Sequence, residues 1–304
     1  MARLLVTDAR SSYGARLLIA LTGPVFFLII TACVSALVSY PIFLLSGADD
    51  ISFLRSLISR MGQGFLLLGL FPVFRALGLQ FKDLGYHRQW VRAIPLGIGL
   101  GVLMLGLHVL LLLKLGIRLP GVNPWSMSGL SVLFLQSLAT GLGVALLEET
   151  LFRGALLAII LRLTGPLCAV TISAFFYAAL HFIGTKWTTD LSKVGLDTPF
   201  RIAFDGFSHL AAAHFDAFLA LFIAGLFLGT LRLLRPEGLF LCLGIHAGWV
   251  FVIKLSKSLS YPNARSDLIG WISDYDYVIG YFSCLWLLLL LVLVIVRHRP
   301  WASF

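Results

Sequence analysis

About eight stretches of mainly apolar residues, each near the length that crosses a bilayer, recur along the chain and leave it few ways to fold. They run approximately over 17–46, 62–80, 93–117, 128–148, 166–184, 214–234, 238–256 and 277–296. In hydrocarbon every backbone N–H and C=O must find its partner within the protein, so segments of this kind fold as helices. Composition agrees: 59% of residues are hydrophobic and 12% charged, where soluble domains carry roughly a quarter charged. The expected fold is all-α, a polytopic membrane helical bundle of about eight transmembrane helices. No internal repeat or Pro/Gly/Ser linker divides it, so residues 1–304 read as a single integral membrane domain.

The formal charge of +9 does not point to nucleic acid, because Lys and Arg are scattered through short loops instead of forming a basic stripe. Membrane topology accounts for them. With a cytoplasmic N-terminus, the inside segments hold Arg3, Arg10, Arg16, Lys82, Arg88, Arg92, Arg162, Arg232, Arg235, Arg297 and Arg299. Longer outside loops hold Arg55, Arg60, Lys114, Arg118, Lys186, Lys193, Arg201 and Arg265, so the density of positive charge favours both termini inside. Ile30-Thr31-Ala32-Cys33 looks like a lipoprotein cleavage box, but its apolar run continues to Leu45, too long for a signal-peptide core. Cys33, Cys168, Cys242 and Cys284 fall in predicted spans without metal-ligand spacing and read as small packing residues.

Pro24, Pro41 and Pro72 lie inside spans, which membrane bundles tolerate when neighbours supply the missing backbone partners. Gly141 and Gly143 should let another helix approach closely. Thr150 to Leu163, punctuated by Arg153 and Arg162 and followed by Gly165-Pro166, reads as a separate short helix at the cytoplasmic boundary. The longest polar interval, Thr185 to Ala213, reads as an exposed loop with some amphipathic helix.

Against this background, isolated ionisable groups stand out, because each costs about 2.5–3.5 kcal/mol at membrane depth and usually reports a job or an obligatory partner. Glu148, Glu149, His181 and His246 are such groups. Glu149 and Arg153 are one helical turn apart, the spacing at which opposite charges meet, whereas Glu148 has no such local partner. Hydrolysing a peptide bond requires an activated water and a stabilised oxyanion. Glu148 suits the general base, His181 the group that holds or polarises water, and His246 the donor to the developing negative charge. Glu149 and Arg153 would support them. Glu148, His181 and His246 would equally serve as three ligands to a divalent metal such as zinc with an open water position, although HExxH spacing is absent. The bland alternative is a salt-bridged helix end and two core histidines. Asp205, His209, His214 and Asp216 form a second cluster, but beside an exposed loop and without a recognised spacing they read as an amphipathic external segment. His87 and His108 read as packing or interfacial residues.

In order, Glu148-Glu149-x-x-x-Arg153, Tyr177-x-x-x-His181, Ala224-Gly225-x-x-x-Gly229 and His246 resemble the motifs of the CAAX protease and bacteriocin-processing (CPBP, or Abi) family of polytopic intramembrane endopeptidases. The resemblance covers about residues 125–255, and the first three helices match only in being apolar. It implies hydrolysis of a peptide bond in a membrane-associated protein or peptide substrate. The family's water-activating glutamate falls on Glu148, its second glutamate and arginine on Glu149 and Arg153, and its histidines on His181 and His246. It also implies contact with membrane lipid and, since most such relatives are bacterial, a bacterial cell (inner) membrane. Metal-dependent and metal-free chemistry both stay open.

One position departs from the pattern: the family's last histidine is followed four residues later by asparagine, and here Val250 follows His246. Lys254, one turn further, is either a substitute donor or a lysine snorkelling to the interface. Two other functions compete. A catalytically silent membrane scaffold or immunity protein of the same fold draws its best argument from Val250. A transporter or proton relay would use the same intramembrane carboxylates and histidines, but its paired discontinuous helices and internal symmetry are not evident.

Overall fold

The computed structural model describes residues 12–121, 125–185, 187–208 and 214–298. Arg3, Arg10, Lys186, His209 and Arg299, which figure in the topology and loop assignments above, lie outside these residues. Helices account for most of the rest: α1 (Tyr13–Ser46), α2 (Ile51–Leu77), α3 (Ala93–Lys114), α4 (Met127–Glu149), a π-helical segment (Thr150–Leu156), α5 (Leu157–Leu163), α6 (Pro166–Leu180), α7 (Thr198–Ser208), α8 (Phe215–Leu234), α9 (Gly238–Leu259) and α10 (Tyr281–His298). Two short strands, β1 (Arg118–Pro120) and β2 (Ser260–Pro262), pair antiparallel with Arg118 opposite Pro262.

Seven of the helical stretches among the described residues are long and apolar enough to cross a membrane. The chain is a multi-pass integral membrane protein. Pro24, Pro41 and Pro72 lie within α1 and α2 as expected. Three boundaries differ from the sequence expectation. α2 begins at Ile51, not near 62, because Asp50 caps it, its carboxylate accepting the Ser52 backbone N–H at 2.8 Å. The break expected at Thr150 does not occur. α4, the π segment and α5 run on as one 37-residue stretch, Met127–Leu163, since no proline interrupts them before Pro166. The segment expected to span over 166–184 is the 15-residue α6, which at ~1.5 Å per residue reaches only about 22 Å.

The described residues group into two compact units. The first falls within Met1–Gln80, Ile159–Cys168 and Ala179–Ala213. There α1 packs against α2 and α7 around Phe43, Ile51, Leu54, Ile58 and Ile202. α7 is the amphipathic helix expected in the polar interval, burying Ile202 while Arg201 and Asp197 pair at 2.7 Å in solvent.

The second unit falls within Phe81–Ala158, Ala169–Ala178 and His214–Phe304, and α9 is its centre, packed on α3, α4 and α8. Missing side chains allow this closeness. A Cβ on Gly97 of α3 would sit 2.6 Å from the Leu241 carbonyl oxygen, and one on Gly248 of α9 would sit 2.7 Å from that of Ile98. Gly141 meets the Ala247 carbonyl in the same way, as expected, but Gly143 faces open space. Gly225 of α8 lies against Ala174 of α6, so the Ala224-Gly225-x-x-x-Gly229 motif is a helix-packing seam.

Buried Arg118 ties β1 to the end of α9 and to the loop before α10, donating to the carbonyls of Ser256 (3.0 Å), Ser260 (2.7 Å) and Tyr277 (2.6 Å). His108 of α3 is a packing histidine, its Nε2 bonded to the Val278 carbonyl at 3.0 Å. The second acidic and histidine cluster is dispersed into separate pairs: His214 with Asp274, Asp216 with Ser273, and Asp205 with Thr185 in the first unit. All four cysteines are free.

This packing predicts opposite outcomes for two glycines of the second unit. Gly244→Ala should destabilise the protein by about 1–3 kcal/mol, because the new methyl meets α3 backbone, outweighing the gain in helix propensity. Gly99→Ala, where a Cβ meets nothing within 4 Å, should be neutral or stabilising by up to about 1 kcal/mol. Thermal unfolding in detergent distinguishes them, and equal destabilisation would contradict the seam.

Candidate active site

The site is built within the second unit where α4 passes into the π segment. The wider turn keeps Arg153 stacked one turn beyond Glu149, and its Nη1 donates to Glu149 Oε1 at 3.0 Å. Both side chains are sealed, at 1% and 0% exposure. The irregular turn finds its own partners. The Leu157 N–H reaches five residues back to the Phe152 carbonyl, which also accepts Ser173 Oγ of α6 at 3.0 Å. Thr150 Oγ1 bonds the Leu146 carbonyl and lies 2.5 Å from the Tyr86 hydroxyl.

Into this turn α9 delivers His246. Its Nδ1 lies 2.8 Å from the same Glu149 Oε1 that Arg153 holds, and its Nε2 lies 3.8 Å from Glu148 Oε2. One imidazole is therefore bonded on one edge to a buried carboxylate and faces a second carboxylate on the other. Tyr177 completes the wall. Its ring meets His246 edge-on at 6.0 Å and Phe152 edge-on at 5.2 Å, and covers the Arg153 guanidinium at 4.1 Å.

Burial of this many ionisable groups is tolerable only when charges compensate. Two carboxylates, one guanidinium and a protonated imidazole sum to zero, which gives the cluster a neutral form. The two glutamates differ in access. Glu149 is wholly buried, whereas the Glu148 side chain keeps 21% of its surface, so only Glu148 can meet a molecule arriving from outside.

Of the residues singled out from the sequence, the second unit thus assembles Glu148, Glu149, Arg153 and His246. His181 directly follows the last residue of α6, is half-buried and belongs to the first unit. Among the described residues no group of three or more His, Cys, Asp or Glu side chains is arranged to hold a metal ion. Of the expected three ligands the second unit holds two, the Glu148 carboxylate and His246, whose Nδ1 is engaged by Glu149 and whose Nε2 is the edge turned to Glu148.

Sequence reasoning missed the Glu149–His246 contact, which joins residues 97 apart. It also missed Tyr275, on the loop before α10. Burial raises that phenol's pKa most, the Asp276 charge adds to it, and the Glu148 charge contributes further, which places the ring within the electrostatic reach of the site. No periodicity or motif marks either feature.

Residues 130–252 match the family described as type II CAAX prenyl endopeptidase, Rce1-like. This segment is an Rce1-like domain. It runs from the first turn of α4 to the later turns of α9, less than half of the chain, and contains Glu148, Glu149, Arg153, Tyr177, His181 and His246. No curated protein and no solved structure gives a match. The Rce1-like family consists of proteases, for which a protein or peptide is the substrate.

The Rce1-like domain's two glutamates should respond differently to loss of charge. Glu149→Gln leaves Arg153 buried without its carboxylate and should cost about 3–5 kcal/mol. Glu148→Gln, partly exposed and beyond hydrogen-bond distance of His246, should stay within about 1 kcal/mol of wild type. Unfolding midpoints in detergent would show the contrast; equal losses would contradict the assigned geometry.

Proposed function

We propose that the Rce1-like domain is a working intramembrane endopeptidase, CAAX-protease-like, with Glu148 as its general base. The observation that supports this most is the orientation of His246. A sealed carboxylate holds its Nδ1 edge, and its Nε2 edge faces the one carboxylate that remains accessible. The gap of 3.8 Å is too long for a direct hydrogen bond, and Glu148 Oε2 itself is buried, so a water joins the two groups only when the site opens to admit it.

In this reading Glu148 removes a proton from that water as its oxygen bonds to the scissile carbonyl carbon. The carbonyl electron pair moves onto oxygen, where His246, protonated at Nε2, donates a hydrogen bond. When the pair returns, the C–N bond breaks and Glu148 passes its proton to the departing amine. Glu149 and Arg153 touch no substrate; they fix the ring that does. The substrate is a membrane-associated protein or peptide, and the family's name makes a prenylated C-terminus the first class to test. The protein works in a bacterial cell membrane with both termini cytoplasmic.

A second reading, a catalytically silent scaffold, is favoured by Val250, which brings no donor to the turn after His246. Activity separates the two. With a quenched-fluorescent peptide ending in a prenylated Cys-aliphatic-aliphatic-X sequence, purified protein in proteoliposomes should cleave, and Glu148→Gln should lower kcat/KM by about 10²–10⁴-fold while the protein stays folded. A Glu148→Gln protein that cleaves at the wild-type rate would exclude this role for Glu148. No cleavage by wild type, together with normal cellular function of Glu148→Gln, would favour the scaffold.

A further inference from the structure

On the segment that joins α2 to α3, three consecutive residues touch three different elements of the second unit. Leu84, buried at 7% exposure, lies over the π segment, where a Cβ on Gly154 would come within 3.3 Å of its Cδ2. Gly85 turns the chain with a φ of +95° and leaves no room for a side chain beside the Arg232 guanidinium of α8. Tyr86 reaches in two directions. Its hydroxyl lies 2.5 Å from Thr150 Oγ1, and its ring meets Phe240 of α9 edge-on, with centroids 5.6 Å apart.

Proton counting gives the direction of the hydroxyl bond. Thr150 has a single hydroxyl proton and donates it to the Leu146 carbonyl one turn back, so Thr150 Oγ1 accepts and Tyr86 donates. The same carbonyl accepts the Thr150 backbone N–H. Back-bonding of this kind bends a helix, and here it falls directly after Glu149, where α4 gives way to the wider pitch. A helical threonine divides between two side-chain rotamers. The phenol proton selects one of them, and with it one course of the turn that carries both glutamates. Tyr86 also stays a donor: burial raises its pKa more than the Thr150 bond lowers it, and the Glu149 charge raises it further. At the other end, Phe240 lies six residues before His246 on α9, about 9 Å along the axis. One side chain is thus bonded to the turn that bears the carboxylates and packed on the helix that bears the histidine.

We propose that Tyr86 is a positioning residue for the reaction: by joining Thr150 to Phe240, it sets the separation of the Glu148 carboxylate from the His246 ring. This rests on the endopeptidase reading above. Tyr86 acts only through its two neighbours and exchanges no proton with the substrate. The quantity it governs is the 3.8 Å between Glu148 Oε2 and His246 Nε2. Misplacing a catalytic group by about 1 Å can cost about 100-fold in rate without loosening the substrate, so loss of the bond falls on kcat and spares KM.

The test uses the full chain in proteoliposomes with the quenched-fluorescent prenylated peptide. Tyr86→Phe keeps the ring against Phe240 and deletes the hydroxyl, and Thr150→Val deletes the other end of the same bond. Each should lower kcat about 10–100-fold with KM within about twofold. Because both remove one interaction, the double variant should be no slower than the slower single variant. Thr150→Ser, which keeps the hydroxyl, should retain wild-type kcat. If Tyr86→Phe does not fold, the contrast of Thr150→Val with Thr150→Ser carries the comparison. A merely structural Tyr86 would lower the unfolding midpoint and leave kcat of the folded protein unchanged. That result, losses that fall on KM, or losses that multiply in the double variant, while Glu148→Gln abolishes cleavage, would overturn the role of Tyr86 and leave the endopeptidase reading standing. A fully active Glu148→Gln protein would overturn both.

Discussion

A single carboxylate oxygen, Glu149 Oε1, accepts from Arg153 within its own helical stretch and from His246 across to α9, and the geometry of the site depends on that pair of hydrogen bonds. A carboxylate with no exposed surface is tenable only because two donors reach it, one of them a permanent cation. The arrangement separates two adjacent, chemically identical residues into different tasks. Glu149 is consumed in holding a ring, and Glu148, one residue earlier and partly exposed, is left to face that ring's other nitrogen. The division follows from helix geometry, since neighbouring residues point about 100° apart around the axis.

For the contact to form, α9 must come unusually close to its neighbours, and small residues permit this. Gly97 and Gly101 of α3, Gly141 of α4, and Gly244 and Gly248 of α9 bring backbone against backbone on two sides of α9. Lipid offers no hydrophobic drive for helices to associate, so close van der Waals packing of this kind carries much of the cohesion. The π segment adds the last adjustment. Widening the turn after Glu149 lets the chain pass a cluster of buried polar groups without breaking, and Ser173 adds a second hydrogen bond to the Phe152 carbonyl within it.

Much of the fold is legible in the sequence because hydrocarbon imposes a long, simple pattern: the apolar runs mark most of the helices to within a few residues, while the start of α2 at Ile51, set by the Asp50 cap, lies well before its apolar run. The Glu149–Arg153 bond is legible too, since it obeys the four-residue spacing of a helix. Other features escape for physical reasons. Charged residues after Glu149 suggest a helix end at Thr150, but burial of Arg153 against Glu149 and Tyr177 removes the need for one. Gly141 and Gly143 look equivalent, yet only one faces a neighbour, and that depends on rotation about the helix axis. The bond from His246 to Glu149 leaves no local trace because it joins residues 97 apart, and the bond from Tyr86 to Thr150 joins residues 64 apart. The Rce1-like motifs mark the residues of the site in order and set Glu148 apart from Glu149, but not that Glu149 is the carboxylate that holds the His246 ring while Glu148 faces its other edge.

That distinction is the central claim, and the protonation of the His246 ring tests it most directly. In ¹⁵N-histidine-labelled protein, with His246 assigned by its absence in a His246→Gln sample, Nδ1 should carry a proton in a strong hydrogen bond, seen as a downfield N–H resonance that Glu149→Gln abolishes and Glu148→Gln leaves in place. A bare, unprotonated Nδ1 in the wild-type protein, or a resonance lost with Glu148 and kept without Glu149, would contradict the account.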